Sequence, residues 1–192
     1  MFYKNEQFPF IKYLEAAWPD IKRELLALPD TQFHAWPEKR FYNAHKNNDG
    51  WNLFGFYAWG VRLDKNCEIC PKTAEALSHV PGIMNAGFSQ MKPGTIINPH
   101  TGYPEGLLRC HLGVIVPGQC ALKVGGEVME WEEGKCFVFD DTVLHEAWNK
   151  SDQRRVVLLL DFKAEDLVVN KPKRRKGFLG FLLGNKKEKV TQ

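Results

Sequence analysis

Two histidines in the second half of the chain have a spacing that could hold a metal ion. His100 stands in Pro99-His100-Thr101-Gly102, and His145 follows 45 positions later. Non-haem iron sites commonly use two histidines and one carboxylate, and they leave positions open for other ligands. The usual local form is His-x-Asp/Glu followed by a distant histidine, but Gly102 stands at the acid position here. Spacing alone therefore predicts either a metal site without its carboxylate or two structural histidines.

Three further side chains suit an anionic ligand. Arg109 and His111 are two residues apart in Leu108–Leu112, and alternate side chains of a strand share a face. Arg155 precedes the apolar run Val156–Leu160, and a guanidinium next to buried strand residues needs an anionic partner. A planar guanidinium fits a carboxylate with two hydrogen bonds, which suits an organic acid. From the pattern alone, two interpretations of these residues are equally favoured: a site for a metal and a carboxylate ligand, or a structural role.

The first third of the chain reads as helix and loop. Apolar residues in Phe8–Leu28 recur at spacings of three and four, which predicts an amphipathic helix. Pro19 lies inside this segment and is expected to divide it into two helices. Lys72–His79 could form another short helix. A helical N-terminal layer is therefore expected.

From Gly87 onward, short strand-like segments alternate with turn residues, which indicates a sandwich or barrel. Val124-Gly125-Gly126-Glu127 is typical of a two-residue hairpin. We predict a mainly β fold, a cupin-like jelly roll (double-stranded β-helix) on which the N-terminal helices pack. The domain is expected over residues 1–165, followed by a tail over 166–192. The predicted strands are Phe88–Met91, Leu107–Val116, Cys120–Val124, Glu127–Trp131, Cys136–Phe139, His145–Asn149 and Arg154–Phe162.

Charge and cysteine content narrow the class of protein. The 192 residues carry a net charge of +3, but eight Lys/Arg and one acid lie in 171–192, which leaves 18 basic and 22 acidic residues elsewhere. Because the body has no basic stripe, nucleic-acid binding is not expected.

An odd number of cysteines, five, and no secretory signal favour a cytoplasmic location. Cys67-Glu68-Ile69-Cys70 lacks a second pair for zinc and a redox context, so it is interpreted as a loop with two thiols.

The tail combines basic clusters with an apolar segment, and no apolar run is long enough to span a bilayer. Residues 177–184 are mostly apolar and lie between basic residues of 171–176 and 186–187. Such a segment could contact the inner face of an anionic membrane through residues 171–189. Its three glycines weaken a helix, and a soluble or domain-docked tail is the alternative.

Several motifs, in order and at matching distances, resemble the aspartyl/asparaginyl β-hydroxylase family of Fe(II)- and 2-oxoglutarate-dependent oxygenases. The resemblance covers most of residues 8–163. The matching stretches are Phe88-Ser89-Gln90-Met91, Pro93-Gly94-Thr95, Pro99-His100-Thr101-Gly102, Leu108-Arg109-Cys110-His111-Leu112-Gly113, Trp131-Glu132-Glu133-Gly134-Lys135, Phe139-Asp140-Asp141 and His145-Glu146-Ala147-Trp148.

The resemblance implies a role for each candidate residue. Members of this family have glycine in place of the carboxylate ligand, so His100 and His145 would be the two iron ligands. Arg155 would bind the distal carboxylate of 2-oxoglutarate and act in catalysis with the two histidines, with O2 as the oxidant. Asp140, Asp141 or Glu146 would orient the histidines, or the aspartates are only turn residues. The remaining residues implied to line the cosubstrate pocket are Ser89, Met91 (through its backbone), Arg109, His111 and Trp51, with Trp59 as a competitor for Trp51.

The substrate stays open at this stage. The resemblance favours hydroxylation at the β-carbon of an aspartyl or asparaginyl residue, or of a related amino acid, and it makes halogenation the less favoured outcome. Lipid A acyl-chain hydroxylases share this domain, so a lipid substrate is an alternative, supported by the basic and apolar tail. A non-catalytic jelly-roll binding protein is a third reading.

Overall fold

The computed structural model describes residues 1–42, 50–102 and 106–164. The tail predicted over 166–192 and the membrane contact expected for 171–189 lie outside the described residues and stay predictions. Within these described ranges, no helix has the length and apolarity required to cross a bilayer.

Fifteen helices and strands make up the described chain, together with three single-turn 3-10 helices at Asn5–Gln7, Asp30–Gln32 and Lys39–Phe41. In chain order they are β1 (Phe2–Tyr3), α1 (Ile11–Ala27), β2 (His34–Ala35), β3 (Trp51–Ala58), β4 (Val61–Arg62), α2 (Asp64–Ile69), α3 (Pro71–Leu77), β5 (Ile83–Met91), β6 (Ile96–His100), β7 (Leu107–Ile115), β8 (Cys120–Val124), β9 (Glu127–Glu130), β10 (Cys136–Phe139), β11 (His145–Asn149) and β12 (Arg155–Lys163).

The strands form two antiparallel sheets. The large sheet has the order β1-β10-β7-β12-β5-β3-β2, with β4 paired to β3, and the small sheet has the order β6-β11-β8-β9. Apolar side chains from both sheets meet in one core cluster between them. A second cluster joins α1 and α3 to the opposite face of the large sheet. The predicted mainly β jelly roll with a helical layer is therefore confirmed.

Strand β12 lies in the middle of the large sheet and shows how the two faces are divided. Val156, Leu158 and Leu160 face the helical cluster, whereas Val157 and Leu159 face the space between the sheets. Because side chains alternate along a strand, the buried charged residues Arg155 and Asp161 point to the same side as Val157 and Leu159. A central strand buried on both faces reads as a continuous apolar run, as this one does.

Helix α1 is one continuous helix, so the expected break at Pro19 is wrong. Pro19 is inside the helix and exposed, so its lost hydrogen bond and its crowding of the preceding turn fall on the solvent face. Both halves of the helix contribute buried residues to the helical cluster: Leu14 precedes Pro19, and Ile21 and Leu25 follow it. Packing of this face outweighs the cost of the proline.

Other strand assignments also differ from the prediction, by one residue at the ends of β7, β9 and β12. β5 begins at Ile83, before the predicted start at Phe88, and β6 had not been predicted. His100 is the last residue of this strand. β6 is an edge strand of the small sheet, and an edge tolerates Pro99 because its missing N–H is not needed for pairing. The predicted hairpin after Val124 is confirmed, with Gly125 and Gly126 at φ values of 56° and 102°.

All five cysteines of the chain lie among the described residues, buried and free. The loop expected at Cys67–Cys70 is wrong, because Cys67 is in α2 and Cys70 lies at the junction of α2 and α3. Burial raises the pKa of Cys70 to about 12, so its thiol stays protonated at neutral pH. A packing role fits this pair better than redox chemistry.

Candidate active site

The two candidate metal ligands lie side by side on neighbouring strands. His145 of β11 is paired directly with His100 of β6, and their ring centroids are 4.2 Å apart. Phe41 stacks on His100 with its ring centroid at 4.5 Å. The sheet register therefore brings together two imidazoles that are distant in sequence.

Both histidines are held in the same tautomer by the same local device. Nδ1 of His100 lies 2.7 Å from the carbonyl of Asn98, and Nδ1 of His145 lies 2.8 Å from the carbonyl of Val143. A carbonyl oxygen only accepts, so Nδ1 carries the proton and Nε2 keeps its lone pair for a metal. Burial lowers the pKa of His145 to about 4, so this ring is neutral at pH 7, the form that binds metal.

A carboxylate occupies the place that the side chain of residue 102 would take. A Cβ built on Gly102 would lie 1.6 Å from Oδ2 of Asp141. The Gly102 N–H donates to the Asp141 carbonyl at 2.8 Å, which fixes the two segments together. Asp141 Oδ1 is 3.2 Å from Nε2 of His145. Asp141 therefore places a carboxylate next to the two histidines, although the motif His100-Thr101-Gly102 contains no acid.

The other two acids considered for orienting the histidines make different contacts. Asp140 accepts hydrogen bonds from the N–H and hydroxyl of Thr142 at 3.0 and 2.6 Å, which is turn chemistry. Glu146 pairs with Lys123 at 2.9 Å. Of the three, Asp141 is the one that contacts His145.

Arg109 is clamped between two buried carboxylates. Its Nε and Nη2 donate to Asp161 at 2.6 and 3.0 Å, and its Nη1 lies 2.8 Å from Asp141 Oδ1. Asn85 also donates to Asp161, at 3.0 Å. The guanidinium lines the cavity near the histidines and at the same time holds Asp141. Asp161 had no predicted role, although an acid directly after the apolar run of β12 was a readable signal.

Arg155 is a buried cation at the closed end of the space between the sheets. Its exposed fraction is 2%, and burial lowers the pKa of its guanidinium. Nη1 donates to the carbonyl of Ser89 at 3.2 Å, Nη2 contacts Met91 Sδ, and the group lies 4.4 Å from the Trp131 ring centroid. Nε makes no hydrogen bond in the described structure, and no carboxylate there forms an ion pair with this arginine. An anion bound in this cavity would give the guanidinium a counter-charge.

His111 provides a second donor to the same cavity. Trp131 Nε1 donates to His111 Nδ1 at 3.2 Å, so the ring carries its proton on Nε2. That Nε2 is buried and has no partner within the described ranges. Burial, followed by the charges of Arg109 and Arg155, lowers the pKa of His111 well below its usual value. The neutral ring therefore presents an N–H to a ligand.

The remaining predicted pocket residues line up across the large sheet. Met91 is paired with Trp51 on one side and Arg155 on the other, and Trp51 Nε1 donates to Ser89 Oγ at 2.9 Å. The Met91 carbonyl accepts from Asn149 at 3.1 Å. Trp51 is buried, whereas its competitor Trp59 is 59% exposed and does not line this cavity. The large sheet thus brings these residues together opposite the His100–His145 pair of the small sheet.

The space around these residues has a narrow inner part and a wider mouth. The inner cavity, about 20 Å³, is lined by His111, Trp131 and Arg155 among others, and it has room for roughly one water. The mouth, about 200 Å³, is lined by Trp36, Arg40, Phe41 and Asp141, and both parts share Trp51, His100 and Arg109. A five-carbon diacid needs more room than the inner part offers, so its binding requires these side chains to rotate.

The donor set fits both Fe(II) and 2-oxoglutarate. Two neutral imidazoles with free Nε2 atoms and a nearby carboxylate suit a divalent transition metal. The Arg155 guanidinium and the His111 N–H at the far end of the cavity suit a carboxylate. A thioether is a weak acceptor, so a carboxylate oxygen would replace the Met91 contact of Arg155 favourably.

Sequence comparison shows known relatives over most of the chain. Residues 15–165 match the family described as Aspartyl/Asparaginyl beta-hydroxylase. The "Ornithine lipid ester-linked acyl 2-hydroxylase" of Rhizobium tropici is 35% identical over 166 residues, which are 83% of this chain and 59% of that protein. The human "Aspartyl/asparaginyl beta-hydroxylase" is 34% identical over 158 residues, 79% of this chain and 20% of that protein. The chain therefore spans only part of the length of these relatives.

Structural comparison agrees at the level of the fold. A prolyl hydroxylase from Trichoplax adhaerens, solved with a peptide fragment of the hypoxia inducible factor oxygen degradation domain, aligns with a TM-score of 0.51. The alignment has 13% identity and covers 78% of this chain and 79% of that one. The match over residues 15–165 and the 35% identity to the Rhizobium tropici relative show that the chain belongs to the aspartyl/asparaginyl β-hydroxylase family.

Proposed function

We propose that this hydroxylase-family protein is an Fe(II)- and 2-oxoglutarate-dependent dioxygenase that hydroxylates an unactivated C–H bond. The observation that carries the proposal is Arg155, a buried cation that forms no ion pair with a carboxylate of the described chain, in the same cavity as the His100–His145 pair. Burying an unpaired charge costs several kcal/mol. A dicarboxylate cosubstrate offsets that cost when it binds, which gives the arginine a functional reason.

The chain's own residues supply binding, orientation and charge. Nε2 of His100 and of His145 would hold the metal, and Arg155 with His111 would hold the distal carboxylate of 2-oxoglutarate. Asp141 brings the negative charge that a ligating acid would otherwise provide, and Arg109 keeps it in place. Bound Fe(II) and 2-oxoglutarate would supply the oxidising chemistry with O2, with succinate and CO2 as products.

The cavity walls would protect this chemistry from bulk water. Trp36 stacks flat on Trp51, with ring centroids 4.0 Å apart and an interplanar angle of 3°. Phe139 and Leu159 close the inner cavity from two strands of the large sheet. A dry cavity strengthens the interactions of the buried cation with its ligand and limits unproductive reactions.

The first candidate substrate is the β-carbon of an aspartyl or asparaginyl residue or of a related amino acid. Arg40 is exposed and lines the mouth of the site, where its guanidinium could bind a substrate carboxylate. The family description also favours this substrate. The second candidate is a lipid acyl chain, as in the name of the Rhizobium tropici relative. It is favoured by a mostly apolar groove along β3, β5 and β12 that shares Trp36 with the mouth. We propose a cytoplasmic location from the cysteine content.

The proposal is tested by succinate formation from 2-oxoglutarate. Anaerobically iron-loaded protein is exposed to O2, and wild type is compared with His100→Ala and Arg155→Ala. The matched controls are His34→Ala and Arg154→Ala, which change exposed or half-exposed residues outside the cavity. We expect iron-dependent turnover in wild type and controls and none in the two site variants. A wild type that neither turns over nor binds 2-oxoglutarate would contradict the proposal and favour a non-catalytic binding protein.

A further inference from the structure

An apolar groove of the large sheet shares lining residues with the active site. It holds about 240 Å³ and runs along β3, β5 and β12. From Leu53 to Ala58 it follows β3 for roughly 17 Å at the usual rise of a strand. A volume of this size spread over that length makes a narrow groove. Its lining residues are Trp36, Pro37, Leu53, Tyr57, Ala58, Trp59, Asn85, Ala86, Gly87, Leu159 and Asp161.

The polar groups of the groove are largely used within the protein. Asn85 donates to Asp161 and accepts from the Trp59 backbone N–H at 3.0 Å. Asp161 receives two hydrogen bonds from Arg109, and Trp36 Nε1 donates to Glu38 at 2.7 Å. None of the described lining residues is Lys or Arg. An anionic ligand would find no basic group here, and the hydrogen bonds of Asn85 and Asp161 within the protein leave a hydrocarbon none to displace.

The groove shares walls with both parts of the active-site cavity. Trp36 lines the groove and the mouth beside His100. Leu159 lines the groove and the inner cavity that contains His145 and Arg155. A chain lying in the groove would therefore contact two side chains that also line the cavity of the histidine pair.

The open end of the groove carries exposed apolar side chains on a constrained turn. Trp59 and Val61 are 59% and 64% exposed on the hairpin that joins β3 and β4. Trp59 adopts a φ of 52°, a left-handed conformation that is uncommon for a bulky residue. A tryptophan at an apolar–polar boundary is typical of contact with lipid, because its ring is apolar and its N–H polar.

We propose that this groove, defined by Leu53, Trp59 and Leu159 at its walls, binds the acyl chain of a lipid substrate next to the metal site. The inference rests on the proposed function and names the substrate class of the same site. The groove has about twelve times the volume of the inner cavity that holds roughly one water, so it has room for a stretch of an extended chain. A peptide backbone would bring N–H and C=O groups that this lining leaves without partners, at a cost for each.

The test measures binding of cis-parinaric acid, a fatty acid whose fluorescence rises when its chain leaves water. Metal-free protein without 2-oxoglutarate is titrated, so that binding is independent of catalysis. The variants are Leu53→Gln on the groove wall and Trp59→Gln at its rim. The matched control is Leu26→Gln, an apolar residue of α1 that is 59% exposed and lies outside the groove. Thermal midpoints by circular dichroism show that each variant is folded.

We expect saturable binding to wild type and to Leu26→Gln, and affinity about tenfold weaker in Leu53→Gln, since burial of one leucine side chain is worth that much or more. Trp59→Gln should weaken binding in the same direction. Unlabelled palmitate should displace the probe, and a capped aspartyl peptide should not. The inference is overturned if wild type shows no saturable binding, if Leu53→Gln and Trp59→Gln bind as tightly as Leu26→Gln, or if the peptide displaces the probe.

Failure of this inference can be told apart from failure of the proposed function. Iron-dependent succinate formation by wild type reports on the dioxygenase, and probe binding by metal-free protein reports on the groove. Turnover without saturable probe binding would leave the dioxygenase in place, overturn the acyl groove and return the weight to an amino-acid substrate.

Discussion

At the scale of single residues, Arg155 has opposite effects on folding and on binding. Its guanidinium is removed from water without an ion-pair partner in the described chain, which costs stability. The same position makes it a strong binding group for a carboxylate, because a charge-assisted hydrogen bond gains strength away from water. Burial of the guanidinium thus lowers the stability of the free protein and, for the same reason, raises its affinity for a carboxylate ligand.

Arg155→Met tests this reasoning. Methionine fills a similar length without a charge, so we expect the metal-free variant to be at least as stable as wild type in urea unfolding. We also expect loss of the thermal stabilisation that 2-oxoglutarate gives the iron-loaded protein. Arg154→Met is the control. Arg154 is the residue next to Arg155 in sequence, but its guanidinium binds Asp30 at 2.8 Å outside the cavity. A variant clearly less stable than wild type would show that the arginine is mainly structural.

Gly102 and Asp141 depend on each other, and a double-mutant cycle measures this. Gly102→Ala would place a methyl group 1.6 Å from Asp141 Oδ2, so we expect a loss of about 1–3 kcal/mol in the free energy of unfolding. In an Asp141→Ala background the same change should cost close to nothing, because the clash is gone. Gly118→Ala is the control, since a Cβ there meets nothing within 4 Å. Equal costs in both backgrounds would contradict the close contact.

At the scale of elements, α1 completes the start of α3. Glu24 of α1 accepts hydrogen bonds from the backbone N–H groups of Lys72 and Thr73 at 2.7 and 2.8 Å, and from the Thr73 hydroxyl at 2.7 Å. Those N–H groups belong to the first turn of α3, where no helical partner exists. A carboxylate at this end of a helix is also favoured by the helix dipole. The glutamate therefore joins the two helices of the outer layer.

Glu24→Ala should lower the free energy of unfolding by about 1–2 kcal/mol, the range found for the loss of a helix cap. Urea unfolding followed by circular dichroism measures it. Glu68→Ala, an exposed glutamate of α2, is the matched control and should change stability by less than about 0.5 kcal/mol. A Glu24 variant as stable as the control would mean that water replaces the cap at no cost.

Local sequence patterns predicted the strands that are apolar and bounded by turns, and they were less informative elsewhere. Cys136–Phe139 and Cys120–Val124 have the predicted bounds because composition and turn chemistry agree there. β6 was missed because Pro99 and the polar residues near it argue against a strand, and an edge position removes that objection. α1 was divided at Pro19 because the periodicity does not show how strongly the two halves pack on one core.

The candidate site was predictable only in part, for the same physical reason. The histidines and Arg155 stand in local motifs, and a resemblance assigns them roles. The contact of Gly102 with Asp141 and the clamp of Asp161 on Arg109 join segments that only the sheet register brings together. The groove depends on Trp36, which comes from the N-terminal segment and packs on β3 through Trp51. No local pattern contains such contacts.

At the scale of the whole molecule, the closed jelly roll stabilises the neutral forms of two histidines. His111 and His145 are 6% and 5% exposed, and burial lowers the pKa of each, to about 4 for His145. Unfolding exposes both rings to water, where their pKa returns to about 6.5. Below that pH the unfolded chain binds more protons than the folded one, so stability must fall as the pH falls.

We therefore expect the free energy of unfolding of the metal-free protein to be highest above about pH 6.5, where both histidines are neutral in either state. It should decrease between about pH 6.5 and 5. The slope per buried histidine should approach about 1.4 kcal/mol for each pH unit. His111→Phe should remove about half of the slope in this window, whereas His34→Phe, at an exposed position, should leave it unchanged. Urea unfolding at several pH values measures the slope. A slope in His111→Phe equal to that of wild type would mean that carboxyl groups, and not this histidine, govern the loss.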